Sequence, residues 1–265
     1  MKHLLTHWGE VAGRMAGSFH VLFLDYDGTL TPIVDDPAGA LLPRETRELL
    51  RRLSRKPFGR VVVISGRALR DVRKRVGLKN IVYAGNHGLE LHGAGFEFRA
   101  PVAPEYKSVL ERIRDGLEEK VSAISGALVE EKELSLSLHY RRVARKNRLK
   151  VKSLFERGVA PYLARKQVST TSGKMVLEVR PPCRWNKGAA VRWILRREKS
   201  KVKDRPLLPI YVGDDKTDED AFRVLRDKGI CALVGRRRRT FARYYLNDTG
   251  DVAILLRRLL ATRRA

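Results

Sequence analysis

Runs of consecutive apolar residues recur along the chain, and each stops at a group of polar residues. Residues 21–24, 61–64, 81–84, 207–212 and 230–234 are apolar without alternation, the texture of strands covered on both faces in a parallel sheet. Between them lie segments with helical spacing of apolar residues. One follows Pro43 with Leu49, Leu50 and Leu53; others span residues 68–76, the stretch after Asn186 to Glu198, and residues 251–260. Strand, helix, strand, helix, strand predicts an α/β fold with a doubly wound parallel sheet.

From about Leu89 the texture changes. Residues 134–140 alternate strictly and residues 175–179 nearly so, which marks a sheet with one wet face, while residues 106–121 and 143–163 read as helices. A smaller α+β domain is therefore expected as an insert over residues 89–182, with residues 1–88 and 183–265 forming the main domain. Pro181-Pro182 marks a plausible return hinge.

Composition admits such a core and narrows the setting. With 265 residues and 43% hydrophobic content, the chain can bury one large domain or two modest ones. Cys183 and Cys231 are too few for a disulfide scaffold and lack metal-ligand spacing, which suits a reducing compartment. Residues 1–17 hold no continuous apolar stretch, so no signal peptide or membrane span is expected and the protein is read as soluble and cytoplasmic.

The formal net charge of +25 would attract nucleic acid, a membrane surface or a phosphorylated metabolite alike. Basic residues are dense over 141–152, 196–205 and 236–239, yet no aromatic-interleaved RNA motif or zinc-finger spacing accompanies them. A dedicated nucleic-acid site is disfavoured for that reason.

The polar groups that stop the strands carry the chemistry. The first strand ends in Asp25-Tyr26-Asp27-Gly28, the second in Ser65-Gly66-Arg67, and the 207–212 run meets five carboxylates in the seven residues 214–220. Lys187 opens a helix. Thr217 is a good N-cap with Asp220 three residues on, which explains part of the acidic cluster, but Asp214 and Asp215 precede that cap. The carboxyl edge of an open α/β sheet is where ligands bind. A carboxylate is ionised at neutral pH and attacks phosphorus once a hard cation offsets its repulsion from the phosphate. Nucleophile, proton donor, hydroxyl, ammonium and carboxylate-held metal are together what phosphoryl transfer requires.

In that order along the chain, these residues resemble the four motifs of the haloacid dehalogenase superfamily. The resemblance implies a Rossmannoid core with an inserted cap, Asp25 as nucleophile, Asp27 as acid and base, and Ser65 and Lys187 on the phosphoryl oxygens. It implies Mg²⁺ held by Asp25, the backbone carbonyl of Asp27 and Asp214, with either Asp215 or Asp218 as a further ligand.

Residues 213–220, 84–90, 137–141 and 174–181, with Asn186-Lys187-Gly188, are similar to motifs of the trehalose-phosphatase family, in which Ser commonly stands at the position of Asn86 and Asp at that of Asn186. Membership implies Mg²⁺-dependent hydrolysis of trehalose 6-phosphate through an aspartyl-phosphate, with the insert as a closing cap hinged near residues 88 and 182. A disaccharide presents hydroxyls that call for carboxylates, amides and cations. Gly66, Arg67, His87, Glu131, Lys132, Arg141, Lys174 and Glu178 are the expected substrate contacts, with Lys174, Val176 and Glu178 on one strand face. His139 and Tyr140 suit core packing and ligand contact equally. Sucrose phosphate and glucosyl- or mannosyl-glycerate phosphates are alternative substrates, and a nucleic-acid-binding module on a degenerate core is the alternative outside enzymes. A trehalose-phosphate synthase partner stays open.

Overall fold

In the computed structural model the apolar runs are neighbours in one sheet. The described residues are all but Phe58, Ala94, Lys203, Asp204, Arg238 and residues 263–265, so parts of two basic stretches, at 203–204 and 238, lie outside them. Strands β1 (Lys2–His3), β2 (Phe19–Asp25), β3 (Gly59–Ile64), β4 (Val82–Gly85), β5 (Glu90–Gly93) and β6 (Phe96–Arg99) belong to this sheet. It is completed from the other end of the chain by strands that follow β7 (Leu128–Glu131), β8 (Leu136–His139), β9 (Ser169–Gly173) and β10 (Val176–Arg180): β11 (Leu207–Gly213), β12 (Ile230–Val234) and β13 (Tyr244–Leu246). Its order is β1-β13-β12-β11-β2-β3-β4-β5-β6. Every pairing from β1 to β4 is parallel, and β5 and β6 turn back antiparallel.

The unbroken apolar texture of β2, β3 and β11 follows from burial on both faces. Val21, Phe23, Val62, Ile64 and Tyr211 pack on one side with residues of α6 (Lys187–Lys201) and α7 (Glu219–Leu225). Leu22, Leu24, Val61, Val63, Ile210 and Val212 pack on the other with α2 (Arg44–Leu53) and α8 (Thr249–Ala261). Helices α1 (Trp8–Met15) and α3 (Leu69–Val76) add Val11, Met15, Val72 and Val76 to that second layer. Each such side chain contributes about 1.5–3 kcal/mol by leaving water.

The chain divides into two units, residues 1–99 with 185–265, and residues 100–184. The 90–99 hairpin, expected at the start of the insert, pairs with β4 and so extends the large sheet. Its one-wet-face alternation reflects a position at the sheet's edge.

The second unit is a four-stranded antiparallel sheet, β7-β8-β10-β9, packed on α4 (Tyr106–Val121) and α5 (Arg148–Ala164). Helix α5 begins later than the expected residue 143, because Ala144 is extended and a 3-10 turn over Arg145–Asn147 leads in. Among the described residues no helix is long and apolar enough to cross a membrane.

Candidate active site

Register brings the acidic residues together. β2 and β11 are parallel neighbours with Leu24 opposite Val212, so Asp25 and Asp214 leave adjacent strands at the same edge. Lys187 arrives from the first turn of α6, where the Asn186 side chain caps the helix by accepting from the Ala189 amide at 2.9 Å. That cap works as well through the Asn oxygen as it would through an Asp carboxylate. The Lys187 Nζ, 2% exposed, donates to Asp25 Oδ1 and to Asp218 Oδ1, both at 2.7 Å.

Asp218 is the hub of the acidic loop. Its Oδ1 also accepts from the buried Tyr211 hydroxyl at 2.7 Å, and its Oδ2 accepts from the backbone amides of Asp214 at 3.0 Å and Asp215 at 2.9 Å. Asp215 and Asp218 form a reciprocal capping box, and α7 starts at Glu219. Thr217, expected as the N-cap, is therefore not the capping residue, because the carboxylate at 218 reaches back over the turn. Four donors use the four lone-pair directions of the Asp218 carboxylate. Arg237 Nη2 donates to Asp215 Oδ1 at 3.1 Å and to the Asp214 carbonyl at 3.0 Å. Tyr211 and Arg237 were invisible as site residues, one inside an apolar run and the other inside a basic one.

Charge balance decides what this cluster can hold. Oxygens of Asp25, Asp214 and Asp218 lie within 4.8 Å of one another, all buried. The Lys187 ammonium bonds two of these three carboxylates, Asp25 and Asp218, so the acids outnumber it in a dehydrated site. Burial pushes the Asp25 carboxyl well above the usual range, with Lys187 pulling down and Asp218 and Asp214 pushing up. Lys187 is held above its ordinary value because the two aspartates outweigh its burial. Burial also acts to raise Asp218, but the Lys187 ammonium, the Asp215 amide and the Tyr211 hydroxyl hold it below. A divalent ion with oxygen preference matches this cluster of buried acids and its donor set, and the Asp218 carboxylate already accepts four bonds.

Gly28, at φ +84°, leaves room for this: a Cβ there would overlap the Asp214 carboxylate. Gly28→Ala is expected to lower divalent-cation affinity by about 10- to 100-fold, read as the cation-induced rise in melting temperature. An unchanged rise would mean that Asp214 has no part in binding the ion.

Asp27 stands at the rim, with its side chain 40% exposed. Arg67 grips it through two parallel bonds, Nε to Oδ2 at 2.7 Å and Nη2 to Oδ1 at 2.6 Å. Expected as a substrate contact, Arg67 is 7% exposed and gives its remaining bonds to Asp71 and the Pro37 carbonyl. Ser65 is fully buried one residue beyond Ile64, the partner of Asp25, and its Oγ accepts the Arg67 amide at 3.1 Å. The His87 ring lies over Gly66, occupying the space of a Cβ. Asn86, His87 and Gly88 have φ of +49°, +56° and +93°, a conformation costing about 1–3 kcal/mol per non-glycine residue. Backbone bonds from Asn86 to the Arg67 carbonyl at 2.7 Å and from His87 to the Ser65 carbonyl at 2.9 Å hold it. The Asn86 amide donates to Glu90 at 2.7 Å.

In the second unit the sheet's two faces part company. Leu136, Leu138 and Val179 join the helices, whereas Glu130, Ser137 and Glu178 form one row across β7, β8 and β10. Ser135 Oγ donates to Glu178 Oε1 at 3.0 Å, and Lys132 Nζ lies 3.9 Å from Glu178 and 3.7 Å from Glu130. His139 bonds Glu130 at 2.7 Å, while Tyr140 packs among the helices.

Two expected contacts fall elsewhere. Glu131 alternates onto the helix side and pairs with Arg114 at 2.5 Å. Lys174 sits in the β9–β10 turn, beside Met175 at φ +66°, so strand alternation does not align it with Glu178. Arg141 donates to the Lys174 carbonyl at 2.7 Å. Glu130, not singled out beforehand, joins the row only through the β7–β8 hairpin register, which sets it opposite Ser137.

A family model described as trehalose-phosphatase matches residues 23–249. The chain is 35% identical to trehalose-phosphate phosphatase B of Arabidopsis thaliana over 98% of its own length and 71% of that protein. It is 36% identical to trehalose 6-phosphate phosphatase RA3 of Zea mays, covering 96% and 73%. Its fold matches the C-terminal domain of the C. albicans trehalose-6-phosphate phosphatase with a TM-score of 0.82 at 25% identity, over 98% of this chain and 97% of that one.

Proposed function

The chain belongs to the trehalose-phosphatase family, and from that premise we propose that it hydrolyses trehalose 6-phosphate to trehalose and phosphate, with Mg²⁺ as its metal. The buried Lys187 bridge between Asp25 and Asp218, beside Asp214, carries the reading. Asp25 attacks phosphorus in line, the bond from phosphorus to the sugar oxygen breaks, and Asp27 protonates the departing alkoxide. Asp27 then takes a proton from water, which attacks phosphorus and frees phosphate and the Asp25 carboxylate. Lys187 and Ser65 steady the phosphoryl oxygens. Asp25 and Asp214, with the Asp27 carbonyl, would hold Mg²⁺, which would offset charge on nucleophile and phosphate.

The second unit carries a polar row of its own, where Lys132 and Glu178 are buried and, among the described residues, the buried Ser137 Oγ has no hydrogen-bond partner. Such a surface offers donors and acceptors in the density that sugar hydroxyls need. A reducing, cytoplasmic setting accords with the free thiols of Cys183 and Cys231.

Phosphate release measured across trehalose 6-phosphate, sucrose phosphate and the glycosylglycerate phosphates tests the reading. Chelated enzyme is expected to be inactive, Mg²⁺ to restore it, and trehalose 6-phosphate to lead the others in kcat/KM by at least about tenfold. Equal rates across the panel would overturn the substrate assignment, and full activity after chelation the metal.

A further inference from the structure

We infer that Arg67 is a positioning residue for Asp27, fixing the acid/base carboxylate to the loop after β2 so that the two form one rigid edge of the site. The inference rests on the reading of Asp27 as the proton donor to the leaving alkoxide.

Three observations carry it. The guanidinium grips Asp27 through both carboxylate oxygens, at 2.6 and 2.7 Å, a planar fork that sets the orientation of the carboxylate as well as its distance. The same Nη2 donates to the Pro37 carbonyl at 2.8 Å, and Nη1 to Asp71 Oδ2 at 2.9 Å. The guanidinium carbon lies 5.4 Å from the centre of the Tyr26 ring, and the Tyr26 hydroxyl donates to the Ala40 carbonyl at 2.9 Å. Arg75 completes the frame, holding Asp71 at 2.8 Å and the carbonyls of Ala38 and Ala40 at 3.1 Å.

Arg67 is thus fixed from four sides, while the carboxylate it holds is the exposed member of the pair, 40% against 8%. A proton donor must lie within hydrogen-bond reach of its oxygen in the substrate, and Asp27 sits on a loop that leaves its χ angles free. Arg67 removes that freedom. With four of its five N–H groups given to Asp27, Asp71 and the Pro37 carbonyl, it is set to orient Asp27 and not to bind the phosphate itself.

Comparison of two substrates with unequal need for a proton tests this. A sugar phosphate expels an alkoxide that must be protonated, whereas 4-nitrophenyl phosphate expels a phenolate that leaves without one. Arg67→Met is expected to lower kcat on trehalose 6-phosphate by about 10²-fold more than on the aryl phosphate, with KM little changed. Arg67→Lys, which keeps the charge but cannot form the fork, should fall between and serves if the Met variant does not fold. Arg75→Leu loosens the loop without touching Asp27 and should depress both substrates alike. A rise in KM on both substrates at constant kcat would make Arg67 a substrate contact and overturn the inference. Equal losses of kcat on both substrates in the Arg67 variants would overturn it too. Asp27→Asn separates the two levels: if it discriminates between the substrates and the Arg67 variants do not, the inference fails alone; if it does not discriminate, the reading of Asp27 fails.

Discussion

Asp25→Asn is expected to abolish turnover of trehalose 6-phosphate, by about 10⁴-fold or more, while leaving the protein as stable as before or more so when metal is absent. The first half follows from chemistry: an amide of the same shape cannot attack phosphorus, and loss of a covalent nucleophile acts on this scale. The second half follows from the local charge count. Asp25 is buried between Asp214 and Asp218, and burial drives its carboxyl well above the usual range. Removing one of three negative charges relieves repulsion, and the Asn oxygen can still accept from Lys187. Phosphate release measured beside a thermal melt in chelator separates the effects. Activity within tenfold of the parent would place the nucleophile elsewhere, and a large fall in melting temperature would mean that Asp25 is structural.

How far this site could be read beforehand depended on which property carried the signal. Strands β2, β3, β11 and β12 were legible because burial on both faces leaves continuous apolar runs, and their ends located Asp25, Ser65 and Asp214. Alternation reports a wet face but not which sheet owns it, so the β5–β6 hairpin was assigned to the insert although it pairs with β4. Parity also fails at turns. Lys174 looks like a strand residue until the hairpin register places it in the loop, and adjacent glutamates at 130 and 131 are equivalent in composition while facing opposite sides of β7.

The acidic loop was recognisable as a cluster, but its division of labour was not. Asp218 as hub, and the Arg67 fork on Asp27, depend on side-chain directions that spacing does not encode. A buried Tyr is ordinarily just core. Its hydroxyl becomes informative only once Asp218 is seen beneath it.

Lys187→Met should cost both activity and stability, and the pH dependence of the loss identifies its cause. In the parent, the ammonium is 2% exposed and bonded to two carboxylates; removing it takes from the buried Asp25 and Asp218 the cation that both accept from. Breaking a buried pair on one side typically costs about 3–5 kcal/mol, which in a protein of this size lowers the melting temperature by roughly 6–20 °C. Asp25, already held above its ordinary value, would rise further. A carboxyl that titrates higher in the folded than in the unfolded state destabilises when forced to ionise. The deficit is therefore largest at neutral pH and shrinks as pH falls through the raised folded value toward the unfolded one, about 3.9. Added Mg²⁺ should narrow it as well, since the variant's site carries one negative charge more than the parent's and gains more from a bound divalent ion. Melting curves of parent and variant between neutral and acidic pH, with and without Mg²⁺, decide the matter. A deficit independent of pH would point to lost packing, and no deficit at all would mean that the Lys187 bridge does not hold the cluster together.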